Sequence, residues 1–228
     1  MQEHLFDSRT AASTAAAEAI SRLIERRLNG NSKASFVVSG GTTPGECFDA
    51  LAGFELGWEN VSVVLSDERW VPPSSPDSNE RLVRERLLTS HAAEAGLLPV
   101  YREEGIPGER AEELNGELRS LPFPFACALL GMGEDGHFAS LFPDAENLEE
   151  GLDIDSQSLF LSVSTGSSPH PRISLTLSAL SRSDEIVLLV FGEAKREVLE
   201  QARQPNSNLP IASLLRQKRA PVNLYWAL

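Results

Sequence analysis

Short apolar runs alternate with amphipathic helical patterns along almost the whole chain, and this alternation restricts the possible folds more than any other feature. Several of the runs are apolar without interruption, which is typical of strands buried on both faces of a parallel sheet. Parallel neighbours need long crossover connections, and helices are the usual ones. The sequence therefore predicts an α/β fold in which helices cover a mostly parallel sheet.

The predicted elements follow one another without an internal repeat or a long linker. Apolar runs predict strands at residues 36–38, 61–65, 99–101, 126–130, 159–163, 186–190 and 222–225. Helical patterns lie at residues 8–28, 44–51, 79–88, 108–120, 173–180 and 193–203. The pair Asn29-Gly30 is a typical stop signal for the first helix. We therefore expect a single domain over residues 1–228.

The formal net charge of −13 limits the partners of the chain. Nucleic-acid binding requires a basic face, so no nucleic acid is expected. An anionic substrate has to be captured by a local positive pocket, because the overall field repels it. Residues 1–10 contain no apolar stretch and no segment has the length of a membrane span, so we expect a cytoplasmic protein without a membrane partner. Cys47 and Cys127 fit no metal or redox spacing and are expected to be buried thiols.

Residues that follow predicted strands are the first candidates for a site, because ligands of open α/β sheets lie beyond the carboxyl ends of the strands. The segment Ser-Gly-Gly-Thr-Thr-Pro, residues 39–44, follows one strand and leads into a helix. Its glycines let the backbone approach a ligand, and Thr43 with Glu46 suits a capping box at the helix start. The free N–H groups of such a turn favour a phosphate or a carboxylate, although a plain strand-to-helix turn has the same composition.

A second candidate segment, Ser-Asp-Glu-Arg-Trp at residues 66–70, follows the next strand. Adjacent charges at a strand end are usually a solvated turn, but a proline-rich stretch at 71–76 follows here and predicts a stiff wall. Asp77 and Glu80 suit the cap of the next helix and are expected to be structural. Asp67 and Arg69 are the better site candidates.

The sharpest motif is Gly-Met-Gly-Glu-Asp-Gly-His at residues 131–137. It contains the dinucleotide fingerprint G-x-G-x-x-G, but that motif needs a helix to begin at once and run on, and Pro143 interrupts the stretch that follows. The glycines instead indicate a loop that presents Asp135 and His137, whose imidazole can act as a general base near neutral pH. The other histidines have no partner in the sequence and are expected to be surface or structural: His4, His91 and His170.

Two cations stand at the beginnings of later segments. Lys195 follows the strand at 186–190 and lies in the first turn of a helix, where the helix dipole disfavours a cation. Arg172 follows a Pro-His-Pro turn. Each alone is more often solvated than functional, but together with the 39–44 segment they can form a phosphate clamp.

These motifs resemble the 6-phosphogluconolactonases of the glucosamine-6-phosphate isomerase/6-phosphogluconolactonase superfamily. The matching segments, in the order of the family, are residues 39–42, 67–69, 131–143, 171–176 and 192–195. The glucosamine-6-phosphate deaminases share the Gly-Gly-Thr and Asp-Gly-His segments, but they usually have an aromatic residue where Arg69 stands. They also have Asn-Glu-Pro where this chain has Leu141-Phe142-Pro143, so the deaminase glutamate that assists ring opening is missing and the chain resembles the lactonase branch.

The resemblance implies a doubly wound α/β fold, with helices on both faces of the sheet, and a defined reaction. That reaction is hydrolysis of 6-phospho-D-glucono-1,5-lactone to 6-phospho-D-gluconate, the second step of the oxidative pentose phosphate pathway. It implies that His137 activates water and that Asp135 organises the loop. Arg69 would stabilise the oxyanion, and Asp67 would orient Arg69 or the sugar hydroxyls. The implied phosphate contacts are Gly40, Gly41, Thr42, Arg172 and Lys195; no metal and no organic cofactor are implied.

Three other functions stay open on the sequence alone. A deaminase or isomerase of the same superfamily would abstract a proton instead of hydrolysing the ring. A sugar-phosphate sensor would keep the pocket, but a pure binder has no use for a base such as His137. A nicotinamide-dependent dehydrogenase is the least favoured. We expect a monomer, because the sequence shows no apolar heptad repeat and no sheet-edge feature that would pair with a second copy.

Overall fold

Ten strands and eight α-helices make up the chain, and a computed structural model describes all of its residues, 1–228. The strands are β1 (Gln2–Phe6), β2 (Ala34–Val38), β3 (Val61–Leu65), β4 (Asp67–Arg69), β5 (Gly96–Leu97), β6 (Ala128–Leu130), β7 (Phe160–Val163), β8 (Arg172–Leu175), β9 (Ile186–Phe191) and β10 (Val222–Ala227). The α-helices are α1 (Arg9–Asn31), α2 (Gly45–Ala52), α3 (Asn79–Arg86), α4 (Pro107–Ser120), α5 (Leu148–Leu152), α6 (Leu177–Leu180), α7 (Glu193–Ala202) and α8 (Pro210–Arg216). None of these helices has both the length and the apolar composition needed to cross a membrane.

Seven strands form one sheet in the order β1-β10-β9-β6-β2-β3-β5, and every neighbouring pair is parallel. From β2 the chain moves outward to β3 and β5, whereas from β6 it moves outward in the opposite direction to β9 and β10. Right-handed crossovers in opposite directions place helices on opposite faces. The predicted α/β fold class with a mostly parallel sheet is confirmed, and β2 and β6 flank its topological switch point, beyond which ligands bind.

The central strands are buried because their sequences are apolar on both faces. All five residues of β2 are buried, and so are the first five of β9. Burial of a valine or leucine side chain contributes roughly 1.5–3 kcal/mol, so the apolar runs drive these segments into the middle of the sheet. The helices and both sheets share one apolar cluster of 58 buried residues. The thiols of Cys47 and Cys127 are buried within it, as predicted.

A second, three-stranded sheet in the order β4-β8-β7 is antiparallel, and of its strands only β7 was predicted, at residues 159–163. The predicted helix over 173–180 is wrong in its first half, because residues 172–175 form β8. The segment Arg-Ile-Ser-Leu alternates polar and apolar side chains, which is the period of a strand. Thr176 then caps the short helix α6 by accepting a hydrogen bond from the amide of Ala179 at 3.2 Å.

The ends of the chain also differ from the expectations. Residues 2–6 form the edge strand β1 beside β10, although their polar composition does not suggest a strand. Helix α1 begins after its cap Ser8, whose hydroxyl accepts from the amide of Ala11. It continues past Asn29-Gly30 and ends at Asn31, where Ser32 adopts a left-handed conformation with φ 56°. The short helices α5 and α8 were not predicted either.

Residues 99–101 were predicted as a strand and are not one; the last strand of that edge is β5, two residues earlier. Side-chain hydrogen bonds hold this segment instead. Arg110 of α4 donates to the carbonyl oxygens of Pro99 at 2.7 Å and Val100 at 3.1 Å. Its guanidinium also pairs with Glu117 at 2.5 Å and is 3% exposed. Residues 99–101 are therefore joined to α4 by hydrogen bonds of Arg110 and not to β3 by strand pairing.

Substitution of Arg110 by methionine is expected to destabilise the protein by about 2–3 kcal/mol, because the buried carbonyl of Val100, the carbonyl of Pro99 and the carboxylate of Glu117 lose their donor. Urea unfolding measures the change. Arg102→Met is the matched control, since Arg102 pairs with the same glutamates but is 51% exposed and is expected to contribute less than about 1 kcal/mol. Equal effects of the two substitutions would contradict the role of Arg110.

Candidate functional site

A cleft of about 370 Å³ opens at the carboxyl ends of β2 and β6, beside the topological switch point. Eight of the nine residues that the sequence singled out line it: Gly40, Gly41, Thr42, Asp67, Arg69, His137, Arg172 and Lys195. The ninth, Asp135, lies directly behind His137. The fold therefore gathers segments that are more than 150 residues apart in sequence into one pocket.

The loop after β2 needs both of its glycines. Gly41 has φ +86°, and a side chain at Gly40 would overlap the amide group of Asn79. The predicted capping box is wrong: α2 begins at Gly45 after Pro44, and no side chain caps it. Its first N–H groups therefore lack a side-chain acceptor, which is the arrangement that favours an anion at a helix N-terminus.

Glu68 has a structural role, although it lies between two cleft residues. It is 1% exposed and accepts hydrogen bonds from the amides of Asn79 at 2.8 Å and Glu80 at 2.6 Å, and from the hydroxyl of Ser78 at 3.0 Å. Burial raises the pKa of the Glu68 carboxyl, and these hydrogen bonds oppose the shift. Glu68 thus satisfies the N-terminus of α3 from outside the helix.

The expected cap residues of α3 are also different. Ser78 caps the helix by accepting from the amide of Arg81 at 3.2 Å. The carboxylate of Asp77 instead lies 3.4 Å from His170 Nε2, and that of Glu80 pairs with Arg84 at 2.8 Å. The structural interpretation of Asp77, Glu80 and His170 holds, but neither acid is the cap.

Asp67 is the centre of a buried polar network. Its carboxyl accepts from the hydroxyls of Ser66 at 2.8 Å and Ser140 at 2.5 Å and lies 3.4 Å from Arg172 Nη1. It makes no contact with the guanidinium of Arg69. The expectation that Asp67 orients Arg69 is therefore wrong, since the carboxyl group contacts Arg172 instead. Its expected contact with the sugar hydroxyls stays a prediction.

Two arginines lie side by side in the cleft. Arg69 of β4 and Arg172 of β8 are direct partners in the antiparallel register. Arg69 Nη1 donates to the carbonyl of Asp77 at 2.7 Å and to Asn79 Oδ1 at 3.1 Å, and Arg172 Nε donates to Ser168 Oγ at 3.0 Å. Burial lowers the pKa of Arg172, and the charge of Arg69 lowers it further although Asp67 opposes this. An anion between the two guanidinium groups would relieve their repulsion.

His137 and Asp135 form a close pair. His137 Nδ1 lies 2.6 Å from Asp135 Oδ1, which also accepts from the backbone amide of His137 at 3.1 Å. A carboxylate that accepts from Nδ1 leaves the lone pair on Nε2, the nitrogen suited to act as a base. Gly136, with φ +78°, and Gly133, where a side chain would overlap His137 and Asp135, give the loop the shape that this pair requires.

Lys195 lines the cleft from the first turn of α7. Burial lowers the pKa of its ammonium group, while Glu134 opposes the shift. No carboxylate lies within ion-pair distance of Lys195, in contrast to most of the arginines of the chain. The cation is therefore available to an anionic ligand.

No role in the site was predicted for four residues that lie in the cleft or contact its side chains: Asn79, Ser140, Phe142 and Ser168. Asn79 is 3% exposed and donates to the carbonyl of Asp67 at 2.8 Å while it accepts from Arg69. An asparagine at the start of a helix predicts a cap, so the sequence around Asn79 indicated a structural role and not a place in the cleft. The two serines hold Arg172, and serines in loops carry no comparable signal.

Known proteins are similar to this chain over nearly its whole length. The family model described as glucosamine-6-phosphate isomerases/6-phosphogluconolactonase matches residues 7–226. A curated relative from Caulobacter vibrioides, named 6-phosphogluconolactonase, is 40% identical over 224 residues, which are 97% of this chain and 95% of the relative. The crystal structure of a 6-phosphogluconolactonase from Shewanella baltica has a TM-score of 0.96 and 35% identity and covers 100% of this chain and 98% of that one. A monomeric glucosamine-6-phosphate deaminase has the same fold, with a TM-score of 0.73 at 17% identity.

Gly133→Ala is expected to displace the imidazole of His137, because the added methyl group would overlap the ring. The 2.6 Å hydrogen bond to Asp135 should then break, and the downfield proton signal of His137 Nδ1–H in NMR should disappear. Gly131→Ala is the matched control, since a methyl group at Gly131 meets no atom within 4 Å. Retention of the signal in Gly133→Ala would show that the loop does not depend on this glycine.

Proposed function

The chain belongs to the glucosamine-6-phosphate isomerase/6-phosphogluconolactonase family, and on that premise we propose that it hydrolyses 6-phospho-D-glucono-1,5-lactone to 6-phospho-D-gluconate. The observation that carries the proposal is the hydrogen bond of 2.6 Å between Asp135 and His137 in a cleft bordered by three cations. A base beside a set of cations suits the attack of water on the carbonyl of an anionic lactone.

His137 is the general base of this reaction. Asp135 accepts from Nδ1, so Nε2 removes a proton from water as the oxygen attacks carbon 1 of the lactone. The carbonyl π bond becomes an oxyanion in the tetrahedral intermediate. When the intermediate collapses, the bond between carbon 1 and the ring oxygen breaks, and the proton on Nε2 passes to that oxygen. The products are a carboxylic acid and a hydroxyl group, and His137 is regenerated.

Arg69 stabilises the oxyanion in this proposal. Only its Nη1 is engaged by protein acceptors, the carbonyl of Asp77 and the side chain of Asn79. The guanidinium is therefore held at one nitrogen while Nε and Nη2 keep their donor capacity. A fixed donor that needs no reorganisation is the arrangement that best stabilises charge developing in a transition state.

The phosphate in this proposal is held by the segment Gly40, Gly41 and Thr42 together with Arg172 and Lys195. The uncapped N-terminus of α2 supports an anion beside the two glycines. Arg172 is fixed by Asp67, Ser140 and Ser168, which leaves its Nη2 free. Burial lowers the pKa of Lys195, and a bound phosphate would raise it again.

The active unit in this proposal is a monomer in the cytoplasm. Every residue that takes part in the proposed reaction belongs to this one chain. Light scattering at the protein concentration of the assay measures the molecular mass, and a dimer would contradict this part of the proposal.

His137→Ala is expected to lower kcat by roughly two to four orders of magnitude while the fold persists, because the variant lacks the base. Acid release from freshly prepared 6-phosphogluconolactone measures the rate, with buffer alone as the baseline since the lactone also opens unaided. His91→Ala is the matched control, because His91 is half exposed and remote from the cleft. Turnover of His137→Ala at the wild-type rate would remove His137 from the mechanism.

The same assay separates the alternatives. Gluconolactone without the phosphate should be opened more slowly, because the binding energy of the phosphate is used to position the carbonyl. Ammonia release from glucosamine 6-phosphate would favour the deaminase activity, and an absorbance change of a nicotinamide would favour a dehydrogenase. Equal rates of lactone opening for the wild type, His137→Ala and buffer would overturn the lactonase proposal.

Arg172→Ala and Lys195→Ala are each expected to raise KM roughly 10- to 150-fold with a smaller effect on kcat. Each removes a charge-assisted contact worth about 1.5–3 kcal/mol to the phosphate and leaves the reacting carbon untouched. Lys218→Ala is the control, because Lys218 is exposed and lies outside the cleft. An unchanged KM in both cleft variants would place the phosphate elsewhere.

A further inference from the structure

The ring of Phe142 contacts two cleft residues that have different parts in the proposed reaction. The imidazole of His137 lies over it, with the ring centroids 4.2 Å apart and the planes inclined by 34°. The guanidinium carbon of Arg172 lies 5.1 Å from the same centroid. The ring of Phe142 is therefore in contact with both groups.

A tight turn brings Phe142 to His137. The amide of Leu141 donates to the carbonyl of Phe138 at 3.0 Å, and Ala139 adopts φ +48° within this turn. The chain therefore reverses between residues 138 and 141, and the ring five positions after His137 comes to lie against the imidazole. The conformation of the turn fixes the separation of the two rings.

A separate apolar cluster supports Phe142 from behind. The ring is 5% exposed and packs with Ala145, Leu161 and Val163, which are not part of the main core cluster. Val163 of β7 is the direct partner of Arg172 in the antiparallel sheet. The same small sheet thus supports Phe142 and carries Arg172, which fixes both relative to each other.

The face of an aromatic ring carries partial negative charge and attracts a cation. His137 becomes an imidazolium when it takes the proton of water, and its positive charge then lies over the ring of Phe142. Arg172 does not depend on the ring alone, because Asp67, Ser140 and Ser168 also hold it. Loss of the ring therefore affects the imidazole more than the guanidinium.

We propose that Phe142 is a positioning residue, whose ring holds the His137 imidazole in the orientation for catalysis, favours its protonated form and fixes its distance from Arg172. The inference rests on the proposed function, since it takes His137 as the base and Arg172 as a phosphate contact. Phe142 itself takes no part in proton transfer.

Charged groups from four parts of the fold can act on the imidazole. They are Asp135 and Glu134 on its own loop, Asp67 and Arg69 on β4, Arg172 on β8 and Lys195 on α7. Phe142→Leu removes none of these charges and keeps an apolar side chain in the cluster. A change in the titration of His137 in this variant therefore reports on the ring.

Phe142→Leu is expected to move the NMR titration of His137 to lower pH, because the imidazolium loses the ring face. Histidine NMR of the free protein measures that titration. The acid limb of the kcat/KM profile for 6-phosphogluconolactone should move by the same amount, and kcat should fall roughly 10- to 100-fold because the imidazole is no longer held in place. Phe142→Met keeps a long apolar side chain and provides the same test if Phe142→Leu does not fold.

Phe125→Leu is the control for loss of a buried ring. Phe125 is fully buried and packs edge-on against Phe123. It lies before β6, at the amino ends of the strands, whereas the cleft lies at their carboxyl ends. The substitution Phe125→Leu should reduce the thermal stability of the protein without moving the titration of His137. A His137 titration that is unchanged or moves to higher pH in Phe142→Leu, or a shift of equal size in Phe125→Leu, would overturn the role of Phe142. If the wild type does not open the lactone, the proposed function fails, while the NMR titration still tests the positioning role.

Discussion

The carboxyl group of Asp67 is the point on which the geometry of the cleft depends. Asp67 is buried at the start of β4, directly after β3. A buried carboxyl group is energetically costly unless hydrogen bonds satisfy it. Its partners come from three different segments: Ser66 beside it, Ser140 after the Gly-rich loop, and Arg172 on β8. Through Ser66 the network also reaches Ser39, at the start of the loop after β2. One acid thereby ties together the strand ends that surround the substrate pocket.

The small antiparallel sheet explains how an α/β fold can place two arginines next to each other. In a parallel sheet, segments that follow successive strands are separated by whole strand spacings. Here β4 leaves the end of β3 and pairs with β8, so that Arg69 and Arg172 become direct cross-strand neighbours. Like charges on directly opposite residues of two strands repel each other, and an anion bound between the two guanidinium groups would relieve this repulsion. The second sheet is therefore part of the functional site and not an addition to the fold.

Much of the fold and most of the cleft could be predicted from the sequence, because both depend on local patterns. Continuous apolar runs identified β2, β3, β6, β9 and β10, and polar residues after the first three of these strands identified the cleft. Two of the predictions were wrong because a distant contact decided the outcome. Residues 99–101 are held by Arg110, and the side chain of Asp67 is directed to Arg172 by the register of β4 and β8. The importance of Asn79 depends on three segments meeting at one amide group, which no local pattern contains.

The cationic cleft lies in a protein whose net charge is −13, and this contrast bears on what happens after the ring has opened. Hydrolysis of a phosphorylated lactone adds a carboxylate to a molecule that already carries a phosphate. The acid formed is more negative than the lactone, so the field of the whole protein repels it more strongly. The same added charge also strengthens the attraction of the acid to the cations that line the cleft. The distribution of charge thus confines the attraction for anions to the cleft: the lactone and the acid are both attracted there, and both are repelled by the rest of the surface.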